Sequence, residues 1–354
     1  MPNMLTYARE NMYSFAEKPF NEVDSLILSW LSYLRFECLG DLDSELHTIS
    51  IRDLLRAEKF EELTFGVKSA EETIELLTAV VASPRFRQIR LTGYSHENSP
   101  GFENSKQFAA ITYILDEESI YIAFRGTDCS LVGWKEDFNL ALSESVPSQL
   151  LALAYVNRMI NARALSSEHI YIGGHSKGGN MAVYAAAHLH SSLQERIEAI
   201  FSHDGPGFLK EDLEYPGYII IQDKIKKTLP KSSLFGLIFD QEAEYAIVES
   251  DSVSVGQHNP MYWHVEGDSF VHCEELTPDA KILYKKINNW IMKLSVEDRK
   301  RFIDGIFSVL EKTGAKSFDE FGADLKKNIP IVIKSVADMD HETQFFLIQT
   351  LLRI

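Results

Sequence analysis

Seven consecutive residues, Gly173-Gly174-His175-Ser176-Lys177-Gly178-Gly179, constrain the fold of this chain more than any other feature. They follow the β-rich run His169-Ile-Tyr-Ile172 and open a run of small residues ending in Ala185-Ala-Ala187, suited to a closely packed helix. The five-residue pattern Gly-x-Ser-x-Gly recurs by chance, but a strand before it and a helix after it give it a geometry. The serine then sits on a strained strand-to-helix turn, and glycine two positions to either side lets strand and helix pack closely. The turn also places Ser176 at a helix N-terminus, where the dipole and free N–H groups favour a developing oxyanion. Ser176 is therefore the candidate nucleophile, and the Lys177 backbone N–H a candidate oxyanion donor. A glycine-rich turn ending in an unreactive serine is the plainer alternative.

Strands and helices alternate around this turn. Phe108 to Leu115 and Ile120 to Phe124 are strand-like, and the polar Asp116-Glu117-Glu118-Ser119 between them predicts a hairpin. A helix over about 148–163 comes next, then the elbow strand and a helix over 178–190. Strands are expected at Ile197 to Ser202, Tyr218 to Gln222 and Tyr245 to Val248. This order predicts an α/β core over residues 86–276, a mostly parallel sheet flanked by helices. Residues 1–85 read as helical, because Val23, Leu26, Ile27, Trp30, Leu31 and Leu34 form one apolar stripe. Ser69 and Glu72 suggest a capping box for a later helix that Pro84 ends. After Thr277 only helices are expected, over 279–294 and 295–313 with Ser295 as N-cap, then in shorter pieces beyond Ser317. With no repeat or low-complexity linker, the segments 1–85 and 277–354 are expected to pack on the core.

At 45% apolar and 25% charged residues, the 354-residue chain can bury a sizeable core. Asp and Glu number 52 against 35 Lys and Arg, a formal charge of −17, which repels phosphate backbones and anionic headgroups. Nucleic acid is thus an unfavourable partner and an anionic membrane a poor docking surface. The charge is uneven: residues 277–354 carry 13 basic and 11 acidic side chains, leaving −19 on the first 276. Cys38, Cys129 and Cys273 are odd in number and far apart, which indicates neither a disulfide framework nor a zinc site and fits a reducing cytoplasm. No signal-peptide pattern and no apolar run of about 18 residues is seen, so a cytoplasmic location without integral membrane association is expected.

A second chemical signal lies upstream in Phe124-Arg125-Gly126-Thr127-Asp128, followed by Trp134-Lys-Glu-Asp137. A serine hydrolase needs a second oxyanion donor opposite the elbow, from the loop after an early strand, and Thr127 can offer a backbone N–H and a hydroxyl there. Together, F-R-G-T, W-x-x-D and G-H-S-K-G-G before an alanine-rich helix resemble the class 3 lipases over about residues 108–210. More closely, the chain is similar to an uncharacterised bacterial family of lipase-like α/β-hydrolases. That similarity extends over most of its length, including Asn21-Glu-Val-Asp24 and Gln257-His-Asn-Pro260. The resemblance implies the α/β-hydrolase fold and ester hydrolysis. It also implies an oxyanion role for Thr127 and a mobile lid over Ser130 to Phe138. One departure is Lys177, where such lipases carry an apolar residue; an ammonium beside the nucleophile disfavours long neutral lipids.

The serine needs a base, and in this fold the chain order is Ser, then Asp or Glu, then His. His258 lies in the turn-rich loop Gly256-Gln-His-Asn-Pro260 after the last expected strand, with His264 as the alternative. For the acid, Asp204 in His203-Asp204-Gly205-Pro206-Gly207 ends a strand and is fixed by turn-forming residues. Asp223, the alternative, precedes a cationic run that reads as a solvated face. No P-loop, dinucleotide fingerprint or H-E-x-x-H pattern occurs, so no cofactor and no metal are expected. The expected function is therefore cleavage of small or lipid-like acyl esters by Ser176, His258 and Asp204, with Thr127 and Lys177 as the oxyanion hole. The competing expectations are a thioesterase, amidase or acyltransferase using the same triad, and a catalytically silent binding protein.

Overall fold

The computed structural model describes all residues except 41, 43, 45–46, 99–105, 129, 141–144, 162–168, 242, 316–319, 321–323, 340, 342–343 and 345–354. Cys129, Arg163 and Ser317 lie outside the described residues. The centre is a nine-stranded mixed sheet whose strands are β1 (Ile49–Ser50), β2 (Arg90–Asn98), β3 (Gln107–Ile114), β4 (Ser119–Phe124), β5 (His169–His175), β6 (Ile197–His203), β7 (Ile225–Pro230), β8 (Tyr245–Val248) and β11 (His272–Cys273). β9 (Val265–Glu266) and β10 (Ser269–Phe270) form a separate small hairpin. In the main sheet β1 to β8 lie in chain order with β11 outside β8, and β4 through β8 run parallel. β3 and β4 form the expected hairpin, with Ile114 opposite Ile120. Because five neighbouring strands point the same way, the loops at their C-terminal ends share one edge of the sheet, where an open α/β sheet binds ligands.

Side chains alternate across β4 as a doubly covered strand requires. Ile120, Ile122 and Phe124 join the core beneath helices Pro147–Asn161 and Lys177–His188. Tyr121 and Ala123 point the other way, into a core shared with Trp30, Leu31 and the other N-terminal helical residues. Helix Glu22–Leu31 begins with a capping box between Asn21 and Asp24. The same Asp24 is wholly buried in an ion pair with Arg85. Beyond 277 the described elements are helices Pro278–Lys293, Val296–Lys312 and Leu325–Ala337. Ser295 caps the second of these by accepting from the Asp298 N–H. No helix among the described residues is long and apolar enough to cross a membrane.

Two local expectations fail. Residues 218–222 are not a strand but belong to helix Pro216–Ile221 and the 3-10 turn Gln222–Lys224. Tyr218 and Ile221 are buried whereas Ile219 and Ile220 are exposed, a helical spacing hidden inside a β-branched run. Pro216 starts the helix, and the backbone at Gly217 comes so near Ala187 that a Cβ would lie 1.8 Å from its carbonyl oxygen. Ser69, in turn, is no capping box. It adopts the left-handed conformation (φ 56°), its side chain caps nothing, and its Oγ instead accepts from Asn259.

Candidate active site

Ser176 stands between β5 and helix Lys177–His188 with φ 58° and ψ −133°, a conformation that costs energy in a non-glycine residue and clusters at functional sites. Its N–H is held by the His203 carbonyl at 2.9 Å. The flanking glycines are required sterically: a Cβ on Gly174 would lie 2.3 Å from Gly178, and one on Gly178 2.2 Å from the Phe124 carbonyl oxygen. Asp204 also has positive φ (50°), directly after β6, and is fully buried. Its Oδ1 accepts from Ser233 Oγ at 2.5 Å and from the Gly236 N–H at 3.2 Å, while Oδ2 lies 2.6 Å from His258 Nδ1. That bond makes Nδ1 the protonated nitrogen of His258 and leaves Nε2 as the basic one.

His258 is held by ring contacts and by hydrogen bonds to its loop. Its ring contacts those of Phe235 and His175, at 4.4 and 4.5 Å between centroids. Its carbonyl accepts from His175 Nε2 at 2.8 Å, so His175 Nδ1 is the acceptor for the Tyr33 hydroxyl at 3.1 Å. Burial, with His258 alongside, pushes the His175 pKa well below the usual imidazole value, so His175 serves as a neutral strut. Gln257 and Asn259 brace the loop, the first to Ser232 and Ser252 and the second to Ser69. The alternative base, His264, lies instead 2.8 Å from Asp251 and lines a different cavity. The alternative acid, Asp223, sits in a turn before β7, at the opposite end of the parallel strands from Ser176.

Ser176, His258, Thr127, Asp137, Lys68, Trp30 and Tyr33 line one cavity of about 100 Å³. The Thr127 hydroxyl is engaged, donating to Asp137 at 2.6 Å. Burial raises the Asp137 pKa to about 6, against the pull of Lys177 and the Thr127 hydroxyl. Lys177 corrects an expectation, because its ammonium does not face the nucleophile. It is buried and bonded to Glu136 Oε2 at 2.8 Å and to the Gln107 carbonyl at 3.0 Å. Burial works against that charge, but Glu136 and Asp137 outweigh it and hold the pKa above the ordinary lysine value. The objection to long neutral substrates therefore falls away.

Residues 80–308, well over half of the chain, match the family described as Mbeg1-like. The chain belongs to this lipase-like family. Among solved structures, one described as the crystal structure of M37 lipase is 16% identical, with 62% of this chain and 70% of that chain covered and a TM-score of 0.39. No curated protein matches the chain. In this Mbeg1-like chain the segment expected to be a mobile lid is helix Leu131–Asn139, tied down at both faces. Its buried Glu136 accepts from Gln107 N–H, Ser148 N–H and Lys177, while Leu131 packs on Ile303, Phe307 and Leu310 of Val296–Lys312. Sequence reasoning missed Glu136, His175 and the bracing by Ser233, although the Lys-Glu-Asp run beside Trp134 carried a signal for the first. Among the described residues no cluster of three or more His, Cys, Asp or Glu is placed to hold a metal.

Proposed function

We propose that this lipase-like protein is a serine hydrolase of the α/β-hydrolase fold that cleaves carboxylic esters of lipid-like or small acyl groups. The observation that carries the reading is one linked set of groups. A buried carboxylate (Asp204) orients the imidazole of His258 at 2.6 Å, and that imidazole shares a cavity with a strained serine at a helix N-terminus. In the proposed reaction Ser176 Oγ attacks the carbonyl carbon as its proton passes to His258 Nε2. The tetrahedral oxyanion is held by the N–H groups of Lys177 and Thr127. The alcohol leaves with the proton from His258, and water then attacks the acyl-enzyme by the reverse proton route. Asp204 stays ionised and stabilises the imidazolium that forms. Lipase-like family membership supports the same class.

Labelling with a fluorophosphonate probe tests this directly. Wild type is expected to label and Ser176→Ala to lose the label, with p-nitrophenyl ester hydrolysis falling on the order of 10⁴-fold or more. Asp204→Asn should lose most of the activity and Asp223→Asn almost none. A folded wild type that neither labels nor hydrolyses esters or acyl thioesters of graded length would sink the enzyme reading in favour of a silent binding protein.

A further inference from the structure

Gly126, in the middle of Arg125-Gly126-Thr127, has no positive φ that would call for a glycine. What it needs is space. A Cβ there would lie 2.1 Å from Tyr33 Oη, 2.6 Å from the His175 carbonyl oxygen and 3.1 Å from Ser176 Cβ. The place of the missing side chain is thus taken by the hydroxyl of Tyr33, which comes from the N-terminal helical layer just after helix Glu22–Leu31. From there the hydrogen bonding runs in one direction. The His258 carbonyl can only accept, so His175 Nε2 carries the proton at 2.8 Å, and His175 Nδ1 accepts from Tyr33 Oη at 3.1 Å. Trp30 and Trp263 stand edge-on to the His175 ring, at 5.7 and 6.4 Å between centroids. Trp263 Nε1 also donates to the Gln257 carbonyl at 2.7 Å, so two successive carbonyls of the loop, 257 and 258, are held by ring N–H groups.

We propose that Tyr33 is a positioning residue for the reaction at Ser176: through His175 its hydroxyl fixes the backbone of His258, and over Gly126 it seats that loop against the one carrying Thr127. The inference rests on the hydrolase reading. Asp204 orients the His258 ring from one side, but a bond to Nδ1 does not fix the backbone that carries the ring. The bond to the His258 carbonyl supplies that second point, and it holds only while His175 keeps its proton on Nε2 and a donor on Nδ1. Without the Tyr33 hydroxyl, His175 Nδ1 is buried with that donor lost, and the ring gains by turning away from the His258 carbonyl. A general base displaced by about 1 Å costs on the order of 100-fold in rate. The segment 1–85 then acts in the reaction and is more than a cover for the sheet.

Ester hydrolysis by Tyr33→Phe tests this, since the variant keeps the ring and removes only the hydroxyl. Its kcat is expected to fall roughly ten- to 100-fold with KM little changed and circular dichroism as in wild type. His175→Gln supplies the second arm. Its amide N–H can stand where Nε2 stands, so it keeps a donor to the His258 carbonyl without needing Tyr33. In that background Tyr33→Phe should add no further loss, a non-additivity that a hydroxyl serving stability alone would not produce. Equal losses in both backgrounds overturn the proposal, because the hydroxyl then acts without His175. A raised KM at wild-type kcat also overturns it, since Tyr33 is then only a wall that substrate touches. Folded wild type without hydrolysis or fluorophosphonate labelling removes the hydrolase reading and this inference with it. An active wild type matched in kcat by Tyr33→Phe overturns this inference alone.

Discussion

Asp137 occupies the least comfortable position in the candidate site, a carboxylate in the cavity wall whose burial lifts its pKa from 3.8 to about 6. Between those values the unfolded chain releases this proton and the folded one keeps it. The contribution of Asp137 to stability therefore falls as pH rises through about 4 to 6 and stays low above. Asp137→Asn cannot ionise, and its amide oxygen can still accept from Thr127. The variant should gain stability relative to wild type between pH 4 and 7, by up to about 3 kcal/mol, read from urea midpoints across that range. A pH-independent difference would show that Asp137 is not strained in this way. At this scale the geometry was legible where it is local: the positive-φ turn at Ser176 is announced by its glycines, and the pairing of Asp204 with His258 by turn residues and chain order. The turn of the Lys177 ammonium away from the cavity was not legible, because it depends on Glu136 arriving from a helix 41 positions upstream.

Elements were legible where periodicity was clean, as in the β3–β4 hairpin, the elbow strand and its helix, and Tyr245 to Val248. Helix Pro216–Ile221 was not, since three consecutive isoleucines look the same to a strand or a helix until the tertiary contacts decide which are buried. Ser69 failed for a related reason, its hydroxyl being used by the His258 loop rather than by its own helix. The ion pair between Glu136 and Lys177 is the chief polar link between helices Leu131–Asn139 and Lys177–His188, and both partners are almost wholly buried. Lys177→Met leaves the Glu136 charge unpaired and should cost about 3–5 kcal/mol, measured by urea unfolding. Adding Glu136→Gln removes that charge, so the double variant should recover much of the loss. If the single variant costs less than about 1 kcal/mol, solvent reaches Glu136 and the helix is looser than its contacts imply.

For the whole molecule, the two helical additions differ in what they hold. Residues 1–85 cover a full face of the sheet, since Trp30, Leu31 and Tyr33 share a core with Ile111, Tyr113 and Tyr121. They also supply cavity wall through Trp30, Tyr33 and Lys68. A chain lacking residues 1–85 exposes that face and should be insoluble or unfolded. The C-terminal helices divide in two. Asn288 of Pro278–Lys293 bonds Phe239 N–H and the Leu237 carbonyl, bracing the loop that holds Asp204, so that helix belongs with the site. Val296–Lys312 packs on the candidate-site side through a small cluster around Leu131, and on Trp290 of the preceding helix through Phe302. A chain ending after Leu294 should therefore stay soluble, unfold cooperatively a few degrees lower, and keep fluorophosphonate labelling. Labelling by a soluble chain lacking residues 1–85 would refute this division. Loss of labelling with residues 295–354 alone would show that helix Leu131–Asn139 needs its outer partner to hold Asp137 and Thr127 in place.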